Sequence, residues 1–157
     1  MIRLIAAMDS KRGLANSDGL PWQGKIPAEV EHYHKLIEGH TILMGHSTYE
    51  ELVKPMPAGR NLVLSKNHLA LRPGFELIDD LDTFLQNPPE DLWIIGGPKV
   101  FEQTIDRADE LHLTRIEGDF HCTKFFPPFE DKFELVEEGE NHQQNGINFR
   151  FCIYVKK

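Results

Sequence analysis

The sequence predicts an α/β fold: a mixed, mostly parallel central sheet with flanking helices and antiparallel strands at its C-terminal end. Three observations carry that reading. Short apolar runs at 2–8, 41–44, 61–64 and 92–95 are continuous enough to be strands covered on both faces, and the last three run into Gly45, Ser65 and Gly96-Gly97. Helical patterns lie between several of these runs, which implies parallel crossovers. The last third then changes character. Residues 111–116, 132–138 and 148–155 are longer strands rich in aromatic and β-branched side chains, and Asn145-Gly146 marks a hairpin turn before the last one.

Taken in order, the first long helix begins at Pro27, a residue suited to the first helical position. Ile26, Val30, Tyr33, Leu36 and Ile37 recur at helical spacing up to Gly39, which reads as its C-terminal cap. Residues 46–52, 80–85 and 98–105 predict shorter helices. The polar stretch 137–145 reads as a solvated connection. There is no repeat, low-complexity tract or domain boundary, so residues 1–157 read as a single domain.

A chain of 157 residues can bury a core without disulfides or metal. With 40% hydrophobic and 27% charged residues it fits neither a disordered chain nor a coiled coil. Cys122 and Cys152 form no CxxC pair and read as reduced thiols. No segment has membrane-spanning length, and the apolar start is too short for a signal-peptide core, so the expectation is a cytoplasmic protein with no membrane partner. The net charge of −8, from 17 basic and 25 acidic residues, repels phosphate backbones and argues against nucleic acid. A few local cations would still suffice for one anionic cofactor. His32 and His34 fall on different helix faces and none of the histidines has metal-ligand spacing, so no metal is expected. No nucleophile stands with a matched base, which argues against acyl transfer.

In open α/β sheets, ligands bind beyond the carboxyl ends of the strands. Gly45-His46-Ser47-Thr48 and Gly96-Gly97-Pro98-Lys99 each follow a strand and open a helix, and Ser65-Lys66 follows a third strand. Helix N-termini attract phosphate oxygens. Singly, each turn reads as a structural turn or cap. Together on one sheet edge they suit a dinucleotide, although there is no GxGxxG fingerprint. Glu29 lies in the first turn of the long helix, inside its apolar arc. A carboxylate there needs a cationic, hydroxyl or water partner, unless it only favours the helix N-terminus. Leu20-Pro21-Trp22 just before it would form a rigid loop able to close over a flat ring. Thr114 by itself is an ordinary strand residue.

These residues resemble the dihydrofolate reductase family over nearly the whole chain. The similarity is carried by Ile5-Ala6-Ala7, Leu20-Pro21-Trp22, Pro27-Ala28-Glu29 and Met44-Gly45-x-x-Thr48-x-Glu50. It continues through Arg60-Asn61-Leu62-Val63-Leu64-Ser65, Ile94-Ile95-Gly96-Gly97 with Phe101, and Leu111-x-Leu113-Thr114. The resemblance implies NADPH-dependent reduction of dihydrofolate by a monomer that also binds antifolate inhibitors. It implies that Glu29 holds the pterin ring and helps protonate it, that Thr114 braces that carboxylate, and that Trp22 holds a water in a loop over the site. Ile5, Ala7, Val30, Tyr33, Leu52, Met56, Ile95 and Phe101 would line the substrate, with Arg60 on its glutamate carboxylate. Ala7, Leu14, Gly45, His46, Ser47, Thr48, Ser65, Lys66, Gly96, Gly97, Lys99 and Val100 would face the cofactor, with a cis peptide at Gly96-Gly97. The chain departs from the family pattern at His46, where an arginine is common, and at Phe101, where a tyrosine is. Pro57-Ala58-Gly59-Arg60 is shifted by one residue from the usual Pro-Gly-Arg. Two other readings stay open: a reductase of another heterocycle of the ribosylaminopyrimidine type, and a non-catalytic nucleotide or pterin binding module.

Overall fold

The computed structural model describes residues 1–67 and 70–157. At its centre β1 (Ile2–Met8) lies between two parallel neighbours, β6 (Leu92–Gly96) and β7 (Glu110–Ile116). Beyond β6, the strands β3 (Thr41–Gly45), β4 (Arg60–Leu64) and β5 (Phe75–Ile78) continue the parallel sheet. On the other side β11 (Ile147–Lys156) runs antiparallel to β7. It carries β9 (Phe133–Glu138) and β10 (His142–Gln144) along its outer edge. The strand order is β10-β11-β7-β1-β6-β3-β4-β5, with β9 on β11. The mixed sheet and its antiparallel C-terminal strands match the sequence prediction.

Alternation along the strands explains why their apolar runs are continuous. Ile2, Leu4 and Ala6 pack with Leu43, Leu62 and Ile94 against α3 (Leu81–Gln86) and α4 (Pro98–Thr104). Ile5 faces the other way. It joins Ile42, Met44, Val63 and Trp93 under α1 (Pro27–Ile37) and α2 (His46–Glu51). Helices therefore cover both faces.

The structure differs from the sequence reading in three places. The stretch 137–145 is more than a solvated connection, because it holds the end of β9 and all of β10. A separate two-stranded sheet pairs β2 (Gly13–Ala15) with β8 (Lys124–Phe125). The last helix ends at Thr104 and passes into a 3-10 turn, Ile105–Arg107.

The start of α1 is fastened from a distance. The Ala28 N–H donates to Gln144 Oε1 at 3.0 Å, and Asn145 Nδ2 donates to the Lys25 carbonyl at 2.6 Å. The hairpin turn at the end of β10 thus clasps the turn that carries Glu29. Among the described residues no helix is long and apolar enough to cross a membrane, and no group of side chains is arranged to hold a metal ion.

Candidate active site

The carboxyl ends of β1, β3 and β6 meet at a cleft of about 340 Å3. Its floor is Ile5, Ala6 and Ala7 of β1 with Ile95 of β6. One wall is the first half of α1, from Glu29 through Val30 and Tyr33 to His34. Facing it are Ser47 and Thr48 of α2, the Gly97-Pro98 turn and Phe101 of α4. Ile95 reaches the cleft through a bulge: pairing steps from Leu43↔Ile94 to Met44↔Gly96, leaving Ile95 as the extra residue.

Two glycines are required by the close approach of these elements. Gly96 has φ +115°, and a Cβ there would lie 3.1 Å from the Phe101 ring. The Gly96-Gly97 peptide is cis, as the family resemblance implied. At Gly45 a Cβ would stand 2.8 Å from Val100 Cγ2, so Gly45, Gly96 and Val100 form a tight layer behind the cleft wall.

Glu29 faces the cleft, and burial pushes its carboxyl up to about 7. Behind it lies a second cavity of about 210 Å3, also lined by His32, His112, Thr114 and Glu137. Thr114 is buried there on β7. Burial holds both His32 and His112 below the ordinary imidazole range, even though His112 Nε2 lies 2.9 Å from Glu110 Oε1. The Tyr33 phenol is raised by burial and then by the Glu29 carboxylate. Trp22 is 2% exposed and meets Phe120 edge to face at 5.6 Å, which anchors the loop before α1 while its ring lines the cleft.

Among the residues expected to touch substrate, Ile5, Ala7, Val30, Tyr33, Met56, Ile95 and Phe101 do line the cleft. Leu52 packs instead with Met56 against the apolar group around Tyr49. Arg60 is a correction. It opens β4 at the far end from the cleft, and its guanidinium takes both oxygens of Glu76, Nε at 3.0 Å and Nη2 at 2.8 Å. Strand alternation turns the next residue, Asn61, inward, where it holds Met56 through the loop backbone.

Among the residues expected at the cofactor, Ala7, Leu14, Ser47, Thr48 and Gly97 line the cleft. His46 Nδ1 sits 3.1 Å from Glu50 Oε1. The Ser65 hydroxyl closes its own turn on Asn67, and Lys66 is exposed beside it. Lys99 lies with Arg12 and Glu102 in a separate surface groove, because it points from the opposite side of α4 to Phe101. The sequence reading missed Lys124, a cation in the cleft wall that arrives on the two-residue β8. It also missed His32 and His112, which only sheet register and helix packing bring behind Glu29.

The residues present fit a dinucleotide with a flat ring. The floor is built of small side chains, and neither α2 nor α4 has a side-chain cap, which leaves first-turn N–H groups for anionic oxygens. The family model described as "Dihydrofolate reductase" matches residues 1–156. A dihydrofolate reductase of Staphylococcus aureus is 34% identical over 160 residues, covering 99% of this chain and 98% of its own length. One from Bacillus subtilis (strain 168) is 31% identical over 162 residues, covering 100% and 95%. A solved dihydrofolate reductase from Enterococcus faecalis, complexed with NADP(H) and RAB-propyl, has the same fold, with a TM-score of 0.87 at 23% identity over 100% of this chain and 96% of that one. By the extent of both the family match and these identities, the chain belongs to the dihydrofolate reductase family.

Proposed function

We propose that this chain reduces 7,8-dihydrofolate to 5,6,7,8-tetrahydrofolate with NADPH, and that Glu29 binds the pterin ring and helps, through water, to protonate it. The observation that carries the reading is the placement of Glu29: a partly desolvated carboxyl whose proton leaves near pH 7, facing the Gly96-Gly97 turn across one cleft. A group with that affinity can hold a proton at neutral pH and still give it up. NADPH, when bound, supplies the hydride.

The chain's own residues do the rest. Glu29 accepts hydrogen bonds from the amidine-like edge of the ring and fixes its orientation in the plane. Ile5, Ala7, Tyr33 and Ile95 hold its faces, and orienting two rings in contact supplies much of the acceleration. Trp22 and Leu20 cover the opening and exclude bulk water, which strengthens the contact between ring and carboxylate. Thr114, behind Glu29, braces the carboxylate. Ser47, Thr48 and the first turns of α2 and α4 receive the phosphates, and Lys124 adds a positive charge at the wall. His46 and Lys66 stand nearest in sequence to the place for a 2′-phosphate. The reading includes a cytoplasmic monomer, and light scattering on the purified protein checks the oligomeric state.

Mixing the protein with NADPH and dihydrofolate and following the reduced cofactor's absorbance tests the reading. Steady loss of the band with formation of tetrahydrofolate is expected. Binding of both ligands without turnover would leave only a binding module. Turnover confined to another heterocycle would make the chain a different reductase.

A further inference from the structure

We infer that the substrate groove reads the pterin and an apolar aryl tail but gains nothing from the tail's carboxylates. Dihydropteroate, which has the same ring and aryl group without the glutamate, is then reduced about as efficiently as dihydrofolate. The inference rests on the reductase reading of the same cleft.

Beyond Glu29 the cleft continues into an open groove of about 660 Å3 between α1 and Pro57. A tail leaving a ring held by Glu29 has this groove as its way out. Its walls favour an aryl group: Leu20 and Val30 are each 48% exposed there, beside Ile26 and Pro57. Its charges do not favour a carboxylate. Among the described residues, Glu29, Glu31 and Glu38 line it against the single lysine Lys35, with His34 the other basic side chain. Lys35 Nζ stands 3.6 Å from Glu31 Oε1 and both side chains are more than two-thirds exposed, so this cation is already shared and well hydrated.

The arginines nearby are engaged elsewhere. Arg60 is held by both oxygens of Glu76. Arg72 donates to the carbonyls of Tyr49 and Leu52 and lies 4.0 Å over the Tyr49 ring. Nor can the loop present a side chain one step earlier. At Gly59 a Cβ would lie 2.7 Å from the Gly39 carbonyl oxygen, and the Gly59 N–H donates to the His40 carbonyl at 2.8 Å. A paired arginine would raise affinity for a carboxylate on the order of tenfold to a hundredfold. Among the described residues lining this groove there is none to do so.

The test compares kcat/KM for dihydrofolate and dihydropteroate at saturating NADPH, in the intact chain and in two variants. The expected preference for dihydrofolate is below fivefold, and a larger preference overturns the inference. In Lys35→Ala the ratio of the two is expected to stay the same; a selective loss for dihydrofolate would make Lys35 the carboxylate anchor and overturn it. In Pro57→Arg the preference for dihydrofolate is expected to rise at least fivefold, and an unchanged ratio would show that the tail leaves by another path. If neither compound is turned over, the reductase reading itself fails and the inference falls with it.

Discussion

Glu29 occupies the first turn of α1, where a helix dipole favours a carboxylate, yet burial outweighs that gain and holds the proton to about pH 7. The consequence for stability has a definite sign. The folded chain binds this proton more tightly than the unfolded chain, whose glutamates ionise near 4.5. The contribution is therefore fully present below pH 4.5 and is lost as pH rises through about 7, by on the order of 3 kcal/mol. Glu29→Gln should raise the urea midpoint of the ligand-free protein at pH 8 and leave it nearly unchanged at pH 4.5. At pH 7 the same variant should lose at least about a hundredfold in turnover, with NADPH affinity nearly intact. Equal midpoints at pH 8 would place the carboxylate in bulk water. In the unaltered chain the rate of hydride transfer should decline as pH rises through 7, because the protonated fraction declines. Gly96 is the other residue with a sharp expectation. Gly96→Ala meets both the +115° backbone and the Phe101 ring, and should cost on the order of 1–3 kcal/mol along with cofactor affinity, measured by denaturation and NADPH titration.

The loop between α2 and β4 is organised by Asn61. Its Oδ1 accepts from the Met56 N–H at 2.9 Å and its Nδ2 donates to the Met56 carbonyl at 3.2 Å, closing the loop that carries Met56 to the cleft. Asn61→Ala leaves the Met56 N–H unpaired, while the Met56 carbonyl keeps the Ala58 N–H, and should cost about 1–3 kcal/mol. It should raise KM for dihydrofolate more than it lowers kcat, which steady-state kinetics separates. Elements of this kind also mark what the sequence could convey. β1, β3, β4 and β6 were legible because both their faces are covered, which makes their apolar runs continuous. β2, β8 and β10 have two or three residues each and are strands only through their partners, so no local pattern marks them. Lys124 was missed for that reason. Arg60 was misassigned because its direction depends on the alternation of β4 and on Glu76 in the neighbouring strand. The positions of Glu29 and Gly96-Gly97 were legible because a helix start and a strand-end glycine pair are local signals, whereas their roles came only with the family resemblance.

Across the whole molecule, a file of aromatic rings joins the Gly96-Gly97 turn to the last strand. Phe101 meets Phe126 at 5.0 Å, Phe126 meets Phe129 at 5.7 Å, and Phe129 meets Tyr154 at 4.9 Å. Phe129 is 1% exposed, and Phe129→Ala should cost about 3–5 kcal/mol and lower Tm by roughly 6–20 °C. Leu135→Ala, on the half-exposed edge strand β9, should change stability by no more than about 0.5 kcal/mol, checked in the same calorimeter. The clasp of Gln144 and Asn145 on the start of α1 sets an order of assembly. A ribosome releases the residues around Glu29 more than a hundred positions before the side chains that fasten them. A nascent chain halted after α4 contains Gly96-Gly97, but the turn that carries Glu29 still lacks its distant buckle. That turn is clasped only once the hairpin of β10 and β11 has been made.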